Sequence, residues 1–374
     1  RRQRQMCIRD RRYARCMGKH AAPAAPQRPG EVTLERVAAL LEGLGFEPLV
    51  RPDRVVIGAH AFTVALWVDY SRPMALVIDT AERIPTDFEH SMALARFINT
   101  WNHDRVGPWA SYRLMESGDL CARMRRGVHI KHGLSDDQLA AELLDTLEHA
   151  AAFYRQLRER FLDAGLDQPL PPQLMRAQDT ELLLGRHPLL RHLPRGGRQE
   201  VSTAPELYRE VEGPAGEIAP VGVSDLTDAL EQLEFRYGVG EDDVIATGVN
   251  GVPFALTIEG EPGPRYARVT GMWDTGRDAL DAFLPLWLVC NDVNERTCAT
   301  AAYLHEFDGT AHMHAESTML VAEGAAPEQV SEFVISAMAA CLAAIDHVSQ
   351  QTAGQSVVDW PGSCLLYTSP SPRD

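Results

Sequence analysis

The residues best equipped for chemistry fall on one predicted hairpin. Asp308-Gly309 is a two-residue turn signal, and pairing outward from it sets His305 opposite His312 and Tyr303 opposite His314. Strand alternation then gathers Tyr303, His305, His312, His314 and Glu316 on one face, with Ala302, Leu304, Ala311, Met313 and Ala315 on the other. Three imidazoles and a carboxylate form a donor set for zinc or another borderline metal. The competing reading is the wet face of an amphipathic hairpin, which histidine occupies without strain; the corresponding earlier hairpin carries Arg in its place.

That earlier strand is basic: Arg113, Arg123, Arg125 and Arg126, then His129, Lys131 and His132. On an acidic chain it suits an acidic peptide or another anion, with internal pairing to carboxylates as the alternative. No aromatic interleaving accompanies it, so nucleic acid is not an expected partner. Two amide pairs, Asn99/Asn102 and Asn291/Asn294, are each spaced to share a helix face. Amides near a helix end bond exposed carbonyls or the next loop, and contact with a partner is the alternative; Trp101 beside them reads as core before it reads as a contact residue. G-x-S-x-G, G-x-G-x-x-G, a phosphate loop and H-E-x-x-H are all missing, so neither a catalytic residue nor a cofactor is assigned.

The elements that position these groups are duplicated. Phe97 to Asn102 ends one predicted helix, and Val289 to Asn294 echoes it. In the first copy Thr33 caps a helix bearing Leu34, Val37, Leu40, Leu41 and Leu44, and Gly45 ends it. Strands follow at 55–57, 62–68 and 74–78. Thr86-Asp87-Phe88-Glu89 has capping-box form and opens a helix with Met92, Ala95, Ile98 and Trp101 on its apolar stripe. A hairpin about Ser117-Gly118 comes next, then a long helix capped by Ser135-Asp136-Asp137-Gln138. The second copy repeats this from Ser224: strands about Asn250-Gly251, a strand over 266–272, and a helix region opening at Thr275 to Asp278 with Pro285 as a kink or late start. The His hairpin follows, then a helix with Pro327 in its first turn. The expected fold is α+β: two tandem α-βββ-α-ββ-α domains with antiparallel sheets.

The two ends do not belong to this pattern. Residues 1–11 and 364–374 translate from DNA resembling the transposase adapters of sequencing libraries, and we read both as artefacts. Residues 12–30 form a disordered lead-in, 31–163 the first domain, 164–222 a linker, 223–350 the second domain and 351–363 a tail. Setting aside the six basic and two acidic residues of the adapters moves the formal charge from −16 to −20. So acidic a chain is repelled by nucleic acid and anionic membranes. The longest apolar run, Val334 to Ile345, is too short for a bilayer, and no membrane partner is expected. Cys16, Cys121, Cys290, Cys298 and Cys341 lack metal or disulfide spacing, and reduced thiols in a cytoplasmic protein are the expectation.

Ala95-Arg-Phe-Ile-Asn-Thr-Trp-Asn102, His103-Asp-Arg105, Gly133-Leu-Ser-Asp-Asp-Gln-Leu139 and the Phe153-Tyr154 helix resemble the bacterial YbjN-domain family over about residues 30–163. The second copy departs from it: Val293 stands where Trp101 stood, and the proline after the Asn pair is missing. The resemblance implies an α+β fold like that of type III secretion chaperones, which bind extended peptide segments. It also implies a role in sensory transduction or stress regulation, with no catalytic residues to carry over. Chaperones of this type pair as dimers, so the two copies are expected to form an intramolecular pseudo-dimer. The leading expectation is a non-enzymatic, chaperone-like or regulatory module for an extended peptide or protein client, contacted by the Arg strand and by Asn99, Trp101 and Asn102. The Leu-rich stretch 174–193 is a candidate internal pseudo-client. Alternatives are a metal- or small-ligand-sensing regulator built on the His face, and an enzyme of unknown type.

Overall fold

Each repeat begins with a helix laid on an antiparallel sheet. Thr33 accepts the N–H of Arg36 at 3.3 Å and starts α1 (Leu34–Gly43), which buries Val37, Ala38 and Leu41. Four strands follow as a meander, β1 (Leu49–Arg51), β2 (Arg54–Gly58), β3 (Phe62–Asp69) and β4 (Ala75–Glu82). After α2 (Ser91–Asp104) come the hairpin β5 (Trp109–Leu114) and β6 (Leu120–His129), then α3 (Asp136–Arg160). The second repeat runs α5 (Val223–Gln232), β7 (Tyr237–Val239), β8 (Ile245–Val249), β9 (Val252–Glu259), β10 (Tyr266–Asp278), α6 (Ala279–Arg296), β11 (Ala301–Phe307), β12 (Thr310–Leu320) and α7 (Pro327–Ala353). Between the repeats lies the short helix α4 (Ala177–Leu184). This computed structural model describes residues 28–71, 73–161, 174–184, 211–260 and 264–360. The adapter-like ends, the lead-in up to residue 27, and 185–193 of the Leu-rich stretch lie outside them.

The sheets share one topology: β1-β2-β3-β4-β6-β5 and β7-β8-β9-β10-β12-β11, every pairing antiparallel. Each long C-terminal helix covers one face of its sheet. α3 contributes Leu139, Leu143, Ala150, Phe153, Tyr154 and Leu157, with Tyr154 stacked on Phe62 at 4.9 Å. At roughly 1.5–3 kcal/mol for each fully buried large apolar side chain, this layer dominates the first core. α7 is apolar enough by length and composition to cross a membrane, yet 89% of its apolar window is buried inside the fold. Its hydrophobicity is spent on the core.

The meanders hold four strands where the sequence suggested three, because β1 and β7 are three-residue edge strands with no apolar alternation. Thr86 does not cap a helix. Its backbone pairs with Leu120, and Asp87 caps a 3-10 turn ahead of α2 instead. Met92, expected on the buried stripe, is 40% exposed, and Leu94 takes the inner position. Thr275 to Asp278 stay in β10; the helix begins at Ala279 under the Asp278 cap, and Gly222, not Ser224, stands at the start of α5. Pro285 neither breaks nor delays α6. It sits on the exposed side while Phe283, Leu286 and Trp287 hold the opposite side in the core.

Candidate interaction site at the repeat junction and sheet edges

The Asn pairs seal two sheet edges. Asn102 accepts the N–H of Ala110 at 2.7 Å and donates to its carbonyl at 2.9 Å; Asn294 does the same for Ala302 at 2.6 and 2.8 Å. The other member of each pair crosses to the opposite repeat. Asn99 clasps Leu304 of β11 at 2.8 and 2.9 Å, and Asn291 clasps Tyr112 of β5 at 2.9 and 2.8 Å. A primary amide offers one donor and one acceptor to a peptide group, as a neighbouring strand would. Each helix sends one amide to its own edge strand and the other, three residues away, to the opposite repeat's, so each edge strand receives two at successive outward-facing positions, one from each repeat. Asn99 and Asn291 therefore meet a partner within the same chain. Trp101 offers no contact surface: it is buried, edge-on to Phe153 at 5.1 Å.

A second reciprocal contact went unnoticed in the sequence. Gln138 and Gln329 complete the caps of α3 and α7, and each also donates across the junction, to Gly324 O at 2.9 Å and Gly133 O at 2.7 Å. The repeated Gly-to-Gln spacing was its only signal. The same junction borders a small cavity of ≈ 30 Å³ whose lining includes His129, Lys131, Gln138 and Gln329. That suits water-sized groups.

The basic strand is no landing surface for a client, which corrects the expectation for Arg113, Arg123, Arg125 and Arg126. Arg123, Arg125 and Arg126 are buried, and Arg113 is partly covered. Glu295, from the last turn of α6 in the other repeat, receives Arg113 at 2.8 Å, Arg123 at 3.2 Å and the Ser111 hydroxyl at 2.5 Å. Arg123 also binds Asp79, Arg125 donates to the Glu295 carbonyl at 2.8 Å, and Arg126 grips Glu142 at 3.0 and 3.1 Å. Burial pushes the Glu295 carboxyl upward, but Arg123, Arg113 and Arg125 together outweigh it and hold the group at about 2. The sequence showed the arginines but not this counterion, because Glu295 lies 170 or more residues away along the chain.

The His hairpin has the register drawn from its turn, His305 facing His312 and Tyr303 facing His314. It does not make a metal centre. Glu316, the intended carboxylate ligand, is taken by Arg268 at 2.6 Å and the Tyr303 hydroxyl at 2.7 Å. Among the described residues no group of three or more His, Cys, Asp or Glu is arranged to hold a metal. His312 turns toward Asp274 at 3.8 Å. His305 instead meets His103 at the end of α2, which the sequence marked only as part of the family resemblance: the rings stack at 4.7 Å and Nε2 of His103 lies 2.7 Å from Nδ1 of His305. With Nδ1 of His103 at 2.7 Å from Asp104 that nitrogen is the donor, and a neutral His103 then accepts at Nε2 from His305. Burial, then the neighbouring charges of His305 and Arg268, push His314 down to about 3.

The thiols are equally quiet. Cys121, Cys290, Cys298 and Cys341 are buried and form no disulfide; burial pushes Cys290 up to about 12 and Cys341 to about 11, far from nucleophilic thiolates.

With β5 and β11 sealed, the sheets end on their other sides at β1 and β7. Among the described residues β7 pairs only with β8, and Val239 in it is 50% exposed. At the first repeat the chain itself comes back to the edge. Leu174 forms an antiparallel bridge with Ala59 just beyond β2, and Met175 donates its N–H to Gly58 O at 2.9 Å. α4 then runs over β2 with Thr180 wholly buried.

A family model described as "YbjN: Putative bacterial sensory transduction regulator" matches residues 33–159 and again 223–350. Among solved structures the chain is similar to "Crystal structure of YbjN, a putative transcription regulator from E. coli", at 15% identity over 37% of this chain and 98% of that one, with a TM-score of 0.31. No curated protein matches the chain. The two matched segments coincide with the two six-stranded repeats, and the chain belongs to the YbjN family, of which it carries two tandem copies.

Proposed function

We propose that this protein is a non-catalytic regulatory module that takes an extended protein segment by adding it to a sheet edge. The observation that carries this reading is the main-chain pairing of Leu174 and Met175 with Ala59 and Gly58, in which a segment outside the repeat is already held in the way a client would be. Strand addition draws affinity from backbone hydrogen bonds and specificity from alternate side chains, so it asks for an exposed edge and little else. The family's description as a regulator supports a binding role, and the thiols and most of the basic strand's arginines are buried in the fold. The acidic balance favours clients that are neutral or basic.

The test is a random-peptide selection against the full chain, followed by a proline scan of any enriched peptide. Proline removes a backbone donor. Loss of binding at alternate positions is the expected result. Uniform tolerance of proline, or no enriched peptide, would refute the reading.

A further inference from the structure

Resting on that binding reading, we propose that residues 174–184 form an autoinhibitory strap, a peptide ligand supplied in cis that occupies the first repeat's own client site. The seating is specific at four points. Leu174 and Met175 pair with the backbone at Ala59 and Gly58. Arg83 reaches from the end of β4 to the carbonyls of Ala59 and His60 at 3.3 and 3.1 Å and to the Met175 sulfur at 3.4 Å, fixing the rim on which the strap lies. Glu47 accepts the N–H of Ala177 in the first turn of α4 at 3.3 Å, and Arg51 in β1 pairs with Glu181 at 2.5 Å.

The fourth point is a fit that only glycine allows. A Cβ built on Gly58 would lie 2.5 Å from the Thr180 hydroxyl and 3.3 Å from Cβ of Met175. All three of its nearest neighbours belong to the strap, and none to the repeat. A side chain at Gly58 would therefore meet this segment first. The ligand class follows from the contacts: an extended pair with an apolar second residue, then a helical turn presenting a small hydroxyl residue to Gly58 and a carboxylate to Arg51. A tethered segment competes at an effective concentration of about millimolar. A client in trans therefore sees only the fraction of molecules whose strap is open, and its apparent affinity falls by that fraction.

Thr180→Arg places a side chain too large for the site on the strap and leaves the edge intact. Glu181→Lys, at an exposed position, is the second route to release should the first variant not fold. A fluorescein-labelled synthetic peptide spanning 174–184 is titrated by anisotropy into wild type and variant, with hydrogen exchange followed at residues 175–180. The expected result is loss of exchange protection together with at least ~10-fold tighter peptide binding, and loss of that gain when Gly58→Val is added. Protection that persists in both variants would overturn the strap's seating. If the strap releases and the peptide binds wild type and variant equally, the inhibitory role fails while the binding reading stands. If it releases and the peptide binds neither, the binding reading itself fails.

Discussion

Four asparagines do at this junction what a further strand would do, and they do so with one functional group. Removing Asn291 leaves the N–H and C=O of buried Tyr112 without their partner, at a cost of about 1–3 kcal/mol per unsatisfied group. Asn291→Ala is therefore expected to lower the unfolding free energy, measured by urea denaturation, by at least that amount. Asn291→Asp should do no better, because a carboxylate cannot donate to the Tyr112 carbonyl; recovery of wild-type stability by Asp would contradict the amide's dual role. The spacing of these residues was plain in the sequence. Which amide serves its own hairpin and which crosses over was not, since both choices share one helix face.

Protonation is also a residue-scale matter. His314 titrates near 3 in the fold against 6.5 when unperturbed, so above pH 6.5 both states are neutral there and it contributes nothing. Below 6.5 the unfolded chain binds a proton that the folded one refuses, and stability falls toward pH 3. Glu295 adds a second loss between about 4.5 and 2, because its depressed carboxyl stabilises the fold only while ionised. Burial holds Glu82 at about 7 beside Arg158, which works in the opposite sense and softens the fall. The difference between wild type and His314→Asn isolates one proton. Wild type should lose up to ~1.4 kcal/mol per pH unit more than the variant between pH 6 and 4, by chemical denaturation at each pH. Parallel profiles would show that His314 protonates freely in the fold.

At the scale of elements, the strands and helices that carry apolar periodicity were legible and the short ones were not. α3, with its apolar stripe and Ser135 cap, reads directly from the chain, as do the turns at Asn250-Gly251 and Asp308-Gly309. β1 and β7 escape because three residues cannot show alternation, and Thr86 misleads because tertiary pairing with Leu120 outbids a local cap. One close backbone approach between the repeats also left no pattern. Gly127 on β6 meets the Cys298 carbonyl so closely that an added Cβ would sit 1.8 Å from it, with backbone and not a mobile side chain in the way. Gly127→Ala should separate the repeats locally and destabilise the chain by about 1–3 kcal/mol, measured by thermal or urea unfolding. A neutral effect would mean that the Cys298 loop yields without cost.

For the whole molecule, the duplication explains both what is closed and what is open. Each repeat presents one edge strand to its neighbour, where an asparagine from each side seals it, and keeps the opposite edge outward. The arginines that looked like a client surface are taken up internally, Arg113 and Arg123 by Glu295 across the junction and Arg126 by Glu142 within its own repeat. The histidines are divided among Asp274, His103 and, for His314, ring packing against Tyr303, and among the described residues no group of three or more ligands is arranged to hold a metal. A sequence can show that two copies exist, but long-range pairing decides which of their surfaces survive. What survives here is the pair of edges at β1–β2 and β7–β8, the first covered by residues 174–184.

The most direct measurement is site-specific photo-crosslinking. Benzoylphenylalanine is placed at Val50 in β1, Val239 in β7 or Leu114 in β5, which are 48%, 50% and 57% exposed in turn. A selected peptide ligand is added, and adducts are read by mass spectrometry. Edge addition predicts adducts from Val239, adducts from Val50 that increase in Thr180→Arg, and none from Leu114 beside the sealed edge. Adducts from Leu114 as strong as those from Val50 and Val239, or none from either outer edge, would contradict it.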